Sequence, residues 1–192
     1  MKRAFDILSS LVGLIILGPF MLLIALVIRR ESDGPALYIQ SRTGKGDTYF
    51  NAFKFRTMHI NAPIVPRENL TPAKYTTRSG TLLRASSMDE LPQLFNILSG
   101  EMSFVGPKSA QFNQYQLISK RKLYGLNQVK PGLINFSHTV GGPHLTEDQR
   151  LKLESYYIKE QSFMLDCFTI YKMVQKQKEL PARLSQRLVK LL

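Results

Sequence analysis

The sequence is poor in several residue types, and each shortage excludes something. It has a single cysteine, Cys167, which rules out a disulfide within the chain and suits the reducing side of a membrane. Cys167 lies in an apolar segment, where a buried structural thiol is the simpler expectation than a nucleophile. Histidines number three, and His138 and His144 have no cysteine or further histidine at ligand spacing, so a zinc site is disfavoured. Acids are sparse, 14 Asp and Glu against 26 Lys and Arg, giving a formal charge of +12. That imbalance calls for an anionic partner: nucleic acid, lipid headgroups or a phosphorylated substrate. A length of 192 residues, 44% of them hydrophobic, predicts one domain with a real core, neither disordered nor polytopic in a membrane.

One long apolar run is present. Ala4 to Ile28 is almost wholly apolar, with Asp6 and the pair Ser9-Ser10 near its start. Its unbroken part, Leu11 to Ile28, has 18 residues, about 27 Å as a straight helix and close to the hydrocarbon thickness of a bilayer. Gly18-Pro19 in the middle predicts a bend or break, and Lys2-Arg3 and Arg29-Arg30 at the two ends place both on the cytoplasmic side. Residues 1–30 are therefore expected to form a re-entrant helix-break-helix that enters one leaflet and returns. A one-pass anchor is the competing reading, and no small-residue cleavage site follows the run to suggest a signal peptide.

The most informative stretch is Arg84 to Pro107, RASSMDELPQLFNILSGEMSFVGP. The adjacent carboxylates Asp89 and Glu90 precede a helix whose apolar face is predicted to be Leu91, Leu94, Phe95 and Leu98, closed by Gly100. Ser87 and Glu90 have capping-box spacing, and Pro92 fits only a first helical turn. Acids at the positive end of a helix are expected to be held ionised, suited to attack or to metal binding. Arg84 upstream, and Lys108 in the turn after Gly106-Pro107, suggest an anionic substrate beside the acids with a divalent ion offsetting the repulsion.

Upstream, Ala36 to Gln40 and Tyr49 to Phe55 read as a hairpin, with Lys54 and Arg56 on one face and Phe53 and Phe55 on the other. His59 to Tyr75 reads as a surface loop. Arg78 and Arg84 can each offer two parallel donors to a diphosphate. Gln111 to Leu126 reads as a basic helix with Lys120-Arg121-Lys122 facing water or anionic lipid. Leu151 to Val174 is apolar at helical spacing and interrupted by Asp166, and Lys172 to Leu192 is a basic tail able to lie on a membrane.

LLRASSMDELPQLFNILSGEMSFVGP, with FKFRTM at Phe53 to Met58 and VKPG at Val129 to Gly132, resembles the bacterial monotopic phosphoglycosyl transferases, also called the bacterial sugar transferase family. The resemblance extends to about Val174. It implies a membrane-bound enzyme that moves a phosphosugar from a UDP-sugar to a polyprenol phosphate such as undecaprenyl phosphate, releasing UMP, with Mg2+ required. Asp89 would be the nucleophile and Glu90 would bind the metal or position the attacking oxygen. Lys54, Arg56, Arg78, Arg84, Lys108 and Asp166 would contact substrate. The chain departs from the family in having Gly18-Pro19 where Ser-Pro is usual, and LINFSHTVGG where relatives commonly carry a run with Trp, Ala and Gln.

The expected architecture is α/β, mostly helical with a small β-hairpin, in three parts: membrane hairpin 1–30, cytoplasmic catalytic domain 31–174, and basic amphipathic tail 175–192. The expected location is the cytoplasmic face of the bacterial inner membrane, at the first membrane step of a glycan pathway, with homo-oligomerisation left open. A glycosidase would need its two carboxylates opposed across one bond rather than adjacent. A nucleic-acid binder would interleave stacking aromatics with its cations. A non-catalytic membrane-anchored scaffold is the alternative if the departures after Gly132 reflect lost substrate binding.

Overall fold

A computed structural model of the chain describes residues 1–63, 72–142 and 144–175; the expected amphipathic tail lies, from residue 176 on, outside the described residues. The apolar run is one helix, α1, Lys2–Glu31, with Pro19 inside it. The expected helix-break-helix is thus replaced by a continuous helical run. A proline withholds a single N–H, here from the Ile15 carbonyl, and the apolar residues on either side keep their own bonds.

Helix α1 has two faces. Asp6, Ser10, Met21, Ile24 and Ile28 are buried at three- or four-residue multiples, with Leu14 and Leu17 partly covered between them. Met21, Ile24 and Ile28 pack with Phe55 and Leu83, and Leu14 and Leu17 also meet Leu94 and Ile97. The other face leaves Leu11, Ile15, Ile16, Leu22, Leu23 and Leu26 exposed. No polar side chain interrupts that surface between Leu11 and Ile28.

Both ends of α1 are fastened to the same folded body. Lys2 Nζ donates to Asp166 Oδ2 at 2.5 Å, to the Val105 carbonyl at 2.9 Å and to the Tyr157 hydroxyl at 3.2 Å. Arg3 donates to the carbonyls of Ile97 and Leu98 at 2.6 and 2.8 Å, covering an open helix C-terminus. Asp6 Oδ1 accepts from Ser103 Oγ at 3.1 Å and from the Phe104 N–H at 3.0 Å. At the far end Glu31 accepts from the N–H groups of Arg78 and Ser79, capping the next long helix.

The expected hairpin forms from β1, Leu37–Thr43, and β2, Tyr49–Phe55, antiparallel from Leu37↔Phe55 to Thr43↔Tyr49. Within the linker, α2 spans Pro72–Tyr75. Helix α3, Arg78–Ser86, starts on Thr77, whose hydroxyl accepts from the Gly80 N–H, and α4 spans Gln93–Ser99. Gly100 closes α4 at φ 93° as its position predicts. The capping box does not form. Ser87 adopts φ 59° at the close of α3, and its carbonyl, not its hydroxyl, accepts from the Glu90 N–H. The buried face of α4 is Gln93, Leu94, Asn96 and Ile97, while Phe95 turns outward, because α1 and β2 cover that side.

Met102 to Val105 gives β3, Ser103–Val105, which pairs in parallel with β4, Gly132–Ile134. The strands meet backbone to backbone: a Cβ on Gly132 would lie 2.0 Å from the Gly106 nitrogen. Helices α5, Tyr115–Leu123, and α6, Phe136–Gly141, flank β4 in sequence. The stretch 151–174, apolar at helical spacing, falls into two helices, α7, Glu147–Lys159, with a Thr146–Gln149 capping box, and α8, Phe163–Gln175. Val105, Ile134, Phe136, Leu153 and Tyr157 form the core beneath them, and Cys167, expected to be buried, is exposed on α8. The basic triplet of α5 is largely neutralised: Lys120 pairs with Glu147, Lys122 with Asp47, and Arg121 is buried on Glu154.

Asp6→Ala removes the acceptor of one buried and one partly buried hydrogen bond and is expected to cost about 2 kcal/mol, lowering the melting temperature of the detergent-solubilised chain by several degrees. Unchanged melting would show that Asp6 does not fasten α1.

Candidate active site

Asp89 and Glu90 lie on a single 3-10 turn, Met88–Glu90, between α3 and α4, both half-buried. One such turn lacks the aligned peptides that would hold the acids ionised. Burial instead pushes the Asp89 carboxyl above its ordinary value, Lys54 pulls it back, Glu90 adds to the rise and Arg84 opposes it. Glu90 receives a short hydrogen bond from Lys54 Nζ, joining the end of β2 to the acidic turn. Arg84, at the C-terminal end of α3, is oriented by Nε donating to Thr57 Oγ1 at 2.8 Å.

Beyond Glu90 a small cavity opens, lined by Arg42, Lys54, Glu90, Gln93, Lys108 and Asn135 among others. Lys108 has an open face to solvent, while burial of its surroundings lowers its ammonium pKa, Glu90 resists, and Lys54, Arg42 and Arg150 lower it further. Burial also lowers His138, helped by Lys108 and Arg150 and opposed by Glu90. The Lys108 N–H donates to Glu154 Oε1 at 3.3 Å, and that carboxylate, almost wholly buried, also accepts from Ser137 Oγ and Arg121. Burial raises the Glu154 pKa against the pull of Arg121. The buried acid thereby ties the Lys108 turn, α5 and α6 together.

Two expected substrate contacts are committed elsewhere. Arg56 is buried, and its guanidinium bonds the carbonyls of Ser32, Asp33 and Gly34, closing the turn after α1. Lysine and arginine alternating on a strand suggested a shared basic face, but Arg56 stands one residue past β2 and turns to these carbonyls. Asp166 is buried between Lys2 and Tyr157, with the Tyr157 hydroxyl at 2.5 Å, and secures the start of α1 instead of reaching the acidic pair. Arg78 is exposed on the first turn of α3, with its backbone N–H on Glu31. Lys54, Arg84 and Lys108 do gather around Asp89 and Glu90.

Arg42, His138 and Arg150 were not singled out as substrate contacts from the sequence. The hairpin register carried the signal for Arg42: Tyr38↔Lys54, Gln40↔Ala52 and Arg42↔Phe50 place Arg42 on the face of Lys54. Nothing in the spacing of His138 or Arg150 indicates that α6 and α7 fold back to this cavity. No cluster of three or more metal-binding side chains exists among the described residues. Two adjacent carboxylates beside a cation-lined cavity nonetheless match the donor set of Mg2+, which takes one or two carboxylates and completes its shell with substrate oxygens and water.

Residues 1–178 match the bacterial sugar transferase family, and the chain belongs to it. It is 35% identical over 188 residues to the undecaprenyl-phosphate glucose phosphotransferase of Komagataeibacter xylinus, covering 92% of this chain and 35% of that protein. It is 33% identical over 180 residues to the UDP-N-acetylgalactosamine-undecaprenyl-phosphate N-acetylgalactosaminephosphotransferase of Aeromonas hydrophila, covering 91% and 43%. A third relative, the UDP-glucose:undecaprenyl-phosphate glucose-1-phosphate transferase of Caulobacter vibrioides, is 35% identical, covering 90% and 68%. The chain thus spans less than half the length of the first two.

A raised folded pKa means that the Asp89 charge destabilises the fold. The penalty is full above the folded pKa and disappears below the ordinary value of 3.8. Asp89→Asn should therefore melt at or above the wild-type temperature at pH 7, with the difference shrinking toward pH 4; melting curves at both pH values check this, and a lower pH 7 melting temperature would refute it.

Proposed function

We propose that this chain is a phosphoglycosyl transferase that moves a phosphosugar from a UDP-sugar to a polyprenol phosphate at the cytoplasmic surface of the bacterial inner membrane. The observation that carries the reading is Asp89, half-buried on a tight turn between Lys54 and Arg84, next to a cation-lined cavity and on a body faced by apolar α1. The names of the relatives support the donor and acceptor classes.

In the first step an Asp89 carboxylate oxygen attacks the sugar-side phosphorus. The bond from that phosphorus to the bridging oxygen breaks, and UMP leaves with the electron pair. In the second step a phosphate oxygen of the polyprenol phosphate attacks the aspartyl phosphosugar and releases the Asp89 carboxylate. Nucleophile and acceptor are both anionic at neutral pH, so neither step needs a general base. What it needs is neutralisation of phosphate charge, which Lys54, Arg84 and Lys108 supply. Two steps through Asp89 also avoid bringing two highly charged substrates together at once. Mg2+ would be held by Glu90 and Asp89, where it would offset charge on the phosphoryl oxygens. Lys54 would then share Glu90 with the ion.

Attachment to one side of the bilayer, in place of a crossing, rests on the fastening of α1. Lys2, Arg3 and Asp6 at one end and Glu31 at the other bind the same body, so a crossing would need that body on both sides of the bilayer. The exposed face of α1, joined by Phe163 and Met164 on α8 through the Phe5–Phe163 ring contact, would lie in lipid, beside anionic headgroups. The polyprenol phosphate reaches the site without leaving that lipid.

With a panel of UDP-sugars and polyprenol phosphate, the chain should release UMP in a Mg2+-dependent reaction that EDTA stops. Asp89→Asn should lower the rate by at least about a thousandfold, the scale for loss of a nucleophile. Wild-type turnover by Asp89→Asn would overturn the nucleophile assignment, and no UMP from any UDP-sugar would leave the scaffold reading.

A further inference from the structure

The mechanism above leaves Arg42 without a task. Its guanidinium is held firmly: Nε and Nη2 donate to Gln40 Oε1 at 3.0 and 2.6 Å, and Nη1 donates to the Ser109 carbonyl at 3.0 Å. A guanidinium has five N–H groups, and these bonds use three, leaving one on each terminal nitrogen. Such a pair matches two oxygens of one phosphate. Gln40 lies two residues before Arg42 on the same face of β1 and fixes the fork in advance. Arg42 also lines the cavity it shares with Lys108, and Lys108 Nζ has no hydrogen-bond partner among the described residues.

Lys54, which also bonds Glu90, and Arg84 form a first group, acting on Asp89, and Arg42 and Lys108, which line the cavity beside Glu90, form a second. A phosphorus attacked by Asp89 sits among the first group. The second phosphate of a diphosphate, one bridging oxygen away, falls to the second. We infer that Arg42 and Lys108 form the subsite for the phosphate of the departing nucleoside monophosphate, with Gln40 as the residue that positions the Arg42 fork. The inference rests on the proposed function. When the bridging bond breaks, its electron pair stays on the leaving phosphate as a new anionic oxygen. Two parallel N–H groups and an ammonium meet that charge where it appears, and they also set how tightly the product is retained.

Calorimetric titration of the detergent-solubilised full chain with UMP and with uridine tests this directly. The wild type should bind UMP at least about tenfold more tightly than uridine, and Arg42→Lys, which keeps the charge but loses the fork, should abolish most of that preference. Gln40→Ala, which keeps the guanidinium and its bond to Ser109, should lower UMP affinity severalfold and leave uridine unchanged. Lys108→Met provides a second arm should Arg42→Lys fail to fold by circular dichroism. A UMP preference that survives Arg42→Lys, or Lys108→Met where Arg42→Lys does not fold, overturns the subsite. If the wild type still releases UMP from a UDP-sugar, the proposed function stands while the inference falls. If no UDP-sugar is turned over yet UMP preference depends on Arg42, the subsite stands and the reaction does not.

Discussion

The site depends on Asn96. Its side chain is fully buried, accepts from the Phe53 N–H at 3.0 Å, and donates to the Asn51 carbonyl and to Glu101 Oε2, both at 2.7 Å. Those bonds dock β2 onto α4 at one register. Lys54 follows Phe53, and the acidic turn leads into α4, so this amide decides that the ammonium meets Glu90. An apolar side chain of similar size would leave two partly buried backbone groups of β2 without this partner, at a cost of about 1 kcal/mol or more. The pair that neutralises the reaction centre is thus secured from within the core.

A similar economy holds for the membrane face. The body needs α1 for its own core, since Met21, Ile24 and Ile28 complete the cluster around Phe55 and Leu83. The same helix presents its remaining residues outward. Folding and membrane attachment therefore draw on opposite sides of one element, and Asp6, polar in an apolar helix, sets its rotation through Ser103 and Phe104. The net charge of +12 is not one uniform patch: α5 is paired with acids, while Arg42, Lys54, Lys108 and Arg150 cluster near Glu90.

Much of this was legible in the residues, where local chemistry decides the outcome. The apolar run at the N-terminus, the hairpin, the Gly100 stop and the acidic pair ahead of Pro92 follow from periodicity and turn preference. What was not legible concerns partners distant in sequence. Arg56 looked like a substrate cation because the three carbonyls it serves lie more than twenty residues back. Asp166 looked like a site acid because its lysine is Lys2, 164 residues away. The β3–β4 pair was invisible because three-residue strands carry no period, and the break expected at Pro19 is absent because neighbouring turns outweigh one missing bond.

Gly106 and Gly132 press main chain against main chain, and Gly132 is part of the cavity wall. Along that stretch the Asn135 amide donates to the carbonyls of both glycines and so sits directly on the main chain. Any β-carbon there would force the strands apart and carry Lys108 and Asn135 away from each other. The separation of the two strands is accordingly set by main chain, and the side chains at the cavity are left to choose among ligands without altering its frame.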